Sequence, residues 1–339
     1  MNLVDIRNLE VQFPGATEPL TVIDDLSLNI LPGEILGLVG ESGCGKSMLA
    51  RSIMGLVPSP GNVSKGQIFF GDLDLLTLDE PSRRSLRGNQ ISIILQEPMT
   101  TLNPVYTIGN QIEEVLKEHR PDMKRSERRQ LVIQLMKQTG IPSPEARIHQ
   151  YPHELSGGIR QRVAIAMALV GGKVQLLIAD EPTTALDVTI QAQILKLFVE
   201  LQKEHQMSLL LITHDLGVIA QTAHRVAVMY AGRLVEIAHV EELFDNPRHP
   251  YTRGLLHSLP RPGSHSRKQP MPSIPGTVPS PGAIPQGCAF YDRCGFRDDN
   301  QCLNERPNLE EGAMEHWVSC HFAAEIPPFK MISSDEVTP

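Results

Sequence analysis

Residues 40–47 read Gly-Glu-Ser-Gly-Cys-Gly-Lys-Ser. Gly40, Gly45, Lys46 and Ser47 fill the fixed positions of the pattern G-x-x-x-x-G-K-[ST], with Glu41, Ser42, Gly43 and Cys44 between them. Glycines at that spacing let the backbone close around phosphate oxygens with its N–H groups pointing inward. Lys46 adds a cation, Ser47 offers a hydroxyl to Mg²⁺, and a helix opening near Gly45 turns its positive end toward the phosphates. A second set of chemical groups lies far downstream. Asp180 and Glu181 close the apolar run that begins at Val174, and His214 follows the apolar run Ser208 to Thr213. Two neighbouring carboxylates at a strand end point their side chains apart.

These residues need strands and helices to hold them. Ile35 to Val39 is a short apolar run suited to a buried parallel strand, and Ser47 to Leu56 suits a helix. Leu3 to Phe13 and Thr21 to Ile30 read as strands, with turn residues at Pro14 to Pro19 and Pro32-Gly33. Gly66 to Phe70 adds another, which makes the N-terminal part rich in β structure. Gln90 to Leu95 is apolar and β-branched and ends in Gln96-Glu97-Pro98. Thr107 to Gly140 turns helical, with the charged run Lys124 to Arg129 expected on a solvated face. Leu155 to Arg162 opens a further helical pattern that continues through Leu169. After Asp187, the residues Ile190, Ile194, Leu197, Phe198 and Leu201 share one helix face and predict core packing.

Composition narrows the class. At 339 residues and 41% apolar content, the chain can build one large α/β domain and a smaller appendage. A formal net charge of −8 supplies no basic field, so nucleic acid is not an expected partner. Met1 to Leu9 carries no apolar signal core, and no apolar run approaches the roughly 20 residues of a membrane span. The expectation is a cytoplasmic protein that meets a membrane only through partners.

Phe13, the 40–47 loop, Gln96, Leu-Ser-Gly-Gly-Ile-Arg-Gln-Arg at 155–162, Asp180-Glu181, Asp187 and His214 occur in the order found in the nucleotide-binding subunits of ABC transporters. The resemblance covers roughly the first 245 residues. Gln96 to Pro104, Asp180 to Leu195 and Asn246 to Thr252 resemble the dipeptide/oligopeptide/nickel importer branch, and the dipeptide-importer type most of all. It implies an α/β P-loop NTPase with an antiparallel β subdomain, a helical subdomain at about 97–170 and a cysteine-containing C-terminal extension. The ATPase domain would span 1–245 and the extension 246–339.

The same resemblance implies roles for the residues. Phe13 would stack on adenine, with a strand-end core position as the alternative reading of one aromatic residue. Lys46 and the loop amides would hold the β- and γ-phosphates of ATP, with Ser47, Gln96 and Asp180 arranging Mg²⁺. Glu181 would polarise the attacking water and His214 would contact the γ-phosphate. Ser156, Gly157 and Gly158 would bind the γ-phosphate held by a second ATPase subunit, so that each site is completed only by pairing. Ile159 stands where the superfamily most often has Gln, a departure that suits the peptide branch. The implied partners are that second ATPase, two transmembrane permease subunits and a solute-binding protein, with the chain on the cytoplasmic face of the inner membrane. Nickel or another small solute is the alternative cargo. A soluble ABC ATPase of translation or DNA repair is the alternative class, against which stand a single cassette, no long heptad run and no basic patch.

Past Asn246 the composition shifts, and Pro260 to Pro285 is rich in Pro, Gly and Ser, as in a linker or an extended wrap. Beyond it Cys288, Cys294, Cys302 and Cys320 follow the spacing C-x₅-C-x₇-C-x₁₇-C. Disulfides are disfavoured among reduced cytoplasmic thiols, and unrelated buried thiols would rarely gather so closely. Metal is the favoured reading. Ligand count suits Zn²⁺ and an iron–sulfur cluster equally, and the paired C-x₂-C of zinc ribbons is absent. The resemblance to dipeptide-importer tails implies a structural [4Fe-4S] cluster, with Zn²⁺ as the alternative.

Overall fold

The computed structural model of the chain describes residues 2–96, 101–184, 186–259 and 273–329. The start of the expected helical insertion (97–100), residue 185 beside the Asp187 motif and part of the Pro-rich stretch (260–272) lie outside them.

Two sheets organise the described residues. The smaller is antiparallel, in the order β2 (Leu20–Ile30), β1 (Val4–Phe13), β4 (Asn62–Phe70) and β5 (Leu73–Asp74). The larger has eight strands. From one edge it runs β11 (Glu310–Glu311), β12 (Trp317–Val318), β10 (Arg233–His239) and β9 (Arg225–Tyr230). It continues with β3 (Ile35–Val39), β8 (Ser208–Ile212), β7 (Leu176–Asp180) and β6 (Ile91–Ile94). Strands β9, β3, β8, β7 and β6 are mutually parallel.

Every residue of β3, β7 and β8 is buried, which is why these strands read as unbroken apolar runs. Their side chains still alternate between two cores. Leu36, Leu38, Leu176, Ile178, Leu210 and Ile212 face the antiparallel sheet and the helix Lys46–Ile53. Ile35, Val39, Leu177, Ala179, Leu209 and Leu211 face the opposite way, toward the core that also buries Phe198 and Leu201 of the helix Val188–His205.

The helices Ile108–His119, Arg125–Gln138 and Gly157–Val170 pack on one another and account for the stretch expected to be helical. The charged run before and within Arg125–Gln138 is exposed except at Arg128, whose Nε pairs with Glu113 Oε1 over 3.2 Å. C-terminal residues do not form a detached lobe. Trp317 and Val318 pair with Ile237 and Glu236 and so continue the large sheet, with Glu310 and Glu311 adding the outermost strand.

Candidate functional site

The 40–47 loop joins the end of β3 to the helix Lys46–Ile53, at the carboxyl ends of the parallel strands where α/β sheets bind ligands. Backbone sterics show why two of its positions are glycine. Gly40 has φ +156°, and a Cβ there would stand 2.2 Å from the Met229 carbonyl oxygen. Gly45, at φ +108°, would bring a Cβ to 3.1 Å from the Val22 carbonyl oxygen. No side chain caps the first turn of the helix, so its N–H groups keep their anion-binding capacity. Lys46 is buried, and its Nζ donates to the carbonyl oxygens of Gly40 (2.7 Å) and Glu41 (2.9 Å). Cys44 is buried too, and burial pushes its thiol pKa up.

Strand register brings the downstream groups to the same rim. Asp180 ends β7 beside Ile212 of β8, and Ile94 near the end of β6 pairs with Ala179. Asp180 is buried and its Oδ1 has no hydrogen-bond partner. Burial raises its pKa and the Glu181 charge adds to this, while the neighbouring Ser47 hydroxyl and Lys46 oppose it. A buried, unpartnered carboxylate oxygen beside a serine hydroxyl is a hard-oxygen site that fits Mg²⁺.

Glu181 is the point of convergence. Its Oε2 accepts from Gln96 Nε2 (3.0 Å) and Thr184 Oγ1 (3.0 Å), with His214 Nδ1 at 3.5 Å. It holds a left-handed backbone, φ +45°, anchored by its N–H donating to the Ile212 carbonyl at 2.9 Å. A non-glycine residue held there is strained, and such strain gathers at functional sites. Gln96, Glu181 and His214 thus meet although they belong to three different strand ends.

Other expected residues lie elsewhere. Ser156 stands at the N-cap position of the helix Gly157–Val170 without a side-chain capping bond and is exposed, as is Gly157, while Gly158 is half-buried. The two glycines face Leu186 and Ile190, and none of the three is a hydrogen-bond partner of Glu181 or Lys46. Asp187 caps the helix Val188–His205 by accepting from Ile190 N–H at 3.0 Å. Phe13, half-buried at the end of β1, packs its ring on Gly61, where a Cβ would lie 2.5 Å from a ring carbon.

Cys288, Cys294, Cys302 and Cys320 line one small cavity together with His249 and Phe290. Burial pushes the thiol pKa up at Cys294, to about 11 at Cys288 and to about 12 at Cys320, and the nearby Cys302 adds to the rise at all three. Among the described residues no group of three or more His, Cys, Asp or Glu side chains is placed to hold a metal ion, so the expected metal or cluster site at the four cysteines is not formed here.

Two contacts were not legible in the sequence. Arg293, beside Cys294, pairs with Glu41, and the Tyr251 hydroxyl accepts from the Glu41 N–H at 2.8 Å. The Asn-Pro-Arg-His-Pro-Tyr-Thr stretch stood out only by its resemblance, and no local pattern marks Arg293.

The fold and this site define a P-loop ATPase of the ABC class. Residues 23–184 match the family model described as ABC transporter, and residues 235–302 match the one described as oligopeptide/dipeptide transporter, C-terminal region. The chain is 47% identical over 321 residues to the dipeptide transport ATP-binding protein DppD of Haemophilus influenzae, covering 95% of this chain and 96% of that protein. To the protein of the same name from Escherichia coli it is 46% identical over 322 residues, covering 95% and 97%. A dimeric, ADP- and phosphate-bound structure of the ATP-binding cassette MJ0796 superposes with a TM-score of 0.63 at 26% identity, over 70% of this chain and 98% of that one. The chain belongs to the ABC transporter ATP-binding proteins, in the oligopeptide/dipeptide transporter group.

Proposed function

We propose that the chain binds and hydrolyses ATP on the cytoplasmic face of the inner membrane and so drives import of di- and oligopeptides. The observation that carries this is the meeting of Gln96, Thr184 and His214 on Glu181, one residue from the unpartnered Asp180 oxygen. The 40–47 amides and Lys46 hold the phosphates, and Phe13 stacks on adenine. Ser47, Gln96 and Asp180 hold Mg²⁺, which when bound neutralises phosphate charge. Glu181, fixed by its three neighbours, orients the attacking water, and His214 contacts the γ-phosphate.

Exposed Ser156 and Gly157, together with Gly158, serve the nucleotide of a second ATPase subunit, and this chain's nucleotide is served in return. Two permease subunits dock on the helical part, and a solute-binding protein delivers the peptide outside. Gln96, the last described residue before that part, carries the state of the γ-phosphate toward it. No described helix is long and apolar enough to cross a membrane; attachment to the membrane is through those partners. The ATPase domain spans 1–245, with its helical subdomain at about 97–170, and the extension spans 246–339.

Cys288, Cys294, Cys302 and Cys320 hold a structural [4Fe-4S] cluster. Four thiols around one cavity support this reading. The test of the whole reading is co-purification with the permeases and partner ATPase, followed by ATPase assays with solutes delivered through the binding protein. Dipeptides should stimulate turnover; stimulation by nickel and not by peptides contradicts the peptide assignment.

A further inference from the structure

Arg293 ends the short turn Tyr291–Arg293 between Cys288 and Cys294, yet its guanidinium reaches the phosphate loop. Nη1 lies 2.6 Å from Glu41 Oε2 and Nη2 lies 3.0 Å from Oε1, a two-pronged pair in which the Arg293 side chain is 4% exposed. The guanidinium is itself fixed. Its Nε donates to the Pro275 carbonyl at 2.7 Å, and it lies 5.7 Å from the Tyr230 ring centre and 5.8 Å from that of Phe290. The main chain of Glu41 is held as well, by Tyr251 through its N–H and by Lys46 Nζ through its carbonyl. Side chain and backbone of one loop residue are therefore both tied to residues beyond the cassette.

Glu41 is an awkward residue for its place. It stands immediately after Gly40, in a loop whose amides are aimed at phosphate, and a bare carboxylate there repels the ligand. We infer that Arg293 is a positioning residue for nucleotide binding: it neutralises Glu41, holds its carboxylate aside from the phosphate cradle, and thereby makes ATP affinity depend on the ordered cysteine-bearing segment. This rests on the ATP-binding reading above. Arg293 touches no phosphate in this account and acts only through Glu41.

Equilibrium binding of a fluorescent ATP analogue with Mg²⁺ to the full-length chain, at two ionic strengths and with melting curves for each variant, tests it. Wild type should bind and Lys46→Ala should not. Arg293→Ala should bind about tenfold more weakly, with the deficit shrinking as salt screens the exposed Glu41 charge. Arg293→Lys should fall between, because an ammonium keeps the charge and loses the fork. Adding Glu41→Gln to Arg293→Ala should restore affinity to within about threefold of wild type, since the repelling carboxylate is gone. Wild-type affinity in Arg293→Ala, or a double variant no tighter than the single one, overturns the inference while leaving the ATP reading intact. Should Arg293→Ala melt early, the double variant lacks the same arginine, so their comparison still decides. A wild-type chain that binds no nucleotide overturns both.

Discussion

The Gln96 side-chain amide donates to Glu181 Oε2 over 3.0 Å, joining residues 85 positions apart in the chain. One stands at the entrance to the helical part and the other follows the strand that ends in Asp180. In the proposed reading, in which Glu181 orients the attacking water and the helical part meets the permeases, this bond is a short physical route from the γ-phosphate outward.

On the proposed roles, with Glu181 orienting water and Lys46 and the loop amides holding phosphate, binding and turnover should separate. Glu181→Gln in the assembled complex is expected to bind ATP as wild type and to lose turnover by about 10²–10³-fold. Lys46→Ala should lose binding as well. Nucleotide binding and phosphate release measured on the same preparations check this, and equal turnover in wild type and Glu181→Gln removes Glu181 from its role.

Ser156 and Gly157 are exposed and make no bond to Glu181 or Lys46, in keeping with the proposal that a second ATPase subunit completes each site. ATPase activity of the isolated chain should be low and should rise with the square of concentration if two copies pair at all. Robust, strictly linear activity from a preparation shown to be monomeric contradicts the shared site.

His316 provides a pH-dependent tie between the cassette and the extension. Its Nε2 is 2.7 Å from Glu236 Oε1 and its Nδ1 is 3.2 Å from Glu242 Oε1, with the His316 and Glu236 side chains wholly buried. Burial pushes the imidazole pKa down and nearby Arg248 opposes the proton, but the two carboxylates outweigh both and the net shift is upward. A raised folded-state pKa means the native protein binds the extra proton. The stabilisation is complete below about pH 6.5, the ordinary imidazole value, and is lost as pH rises through the raised one. His316→Gln should therefore cost roughly 3 kcal/mol near pH 6, and its deficit should narrow toward pH 9. Thermal melting of both proteins across that range checks it; an unchanged deficit at both ends refutes the charged pair.

Anaerobically purified protein should be brown and carry about four irons and four sulfides per chain. Colourless protein with stoichiometric zinc would keep the site and replace its occupant.

How far the sequence revealed this molecule depends on the range of the interaction. Ile35–Val39, Leu176–Asp180 and Ser208–Ile212 were legible because strands buried on both faces must be apolar throughout. Gly40, Gly45 and Lys46 were legible because a backbone cradle imposes fixed residue types at fixed spacing. The Arg293–Glu41 pair, 252 positions apart, leaves no such trace, since an arginine on a cysteine-rich turn is compatible with many partners. Strands Glu310–Glu311 and Trp317–Val318 are two residues each, too short to show a period of two; Trp317–Val318 forms on the edge that β10 offers, and Glu310–Glu311 on the edge of Trp317–Val318. Glu236, an isolated charge within a strand, became intelligible only once His316 and the backbone N–H groups of Arg248 and His249 were seen converging on it.

ATP hydrolysis at Glu181 is proposed to drive peptide movement, and uptake measures that directly. The full complex is placed in vesicles with ATP on the side of this subunit and a labelled dipeptide with its binding protein on the other. Wild-type complex should accumulate peptide only with ATP and Mg²⁺, and Glu181→Gln should reduce the rate to near the no-ATP background. Uptake by the Glu181→Gln complex at the wild-type rate would contradict it.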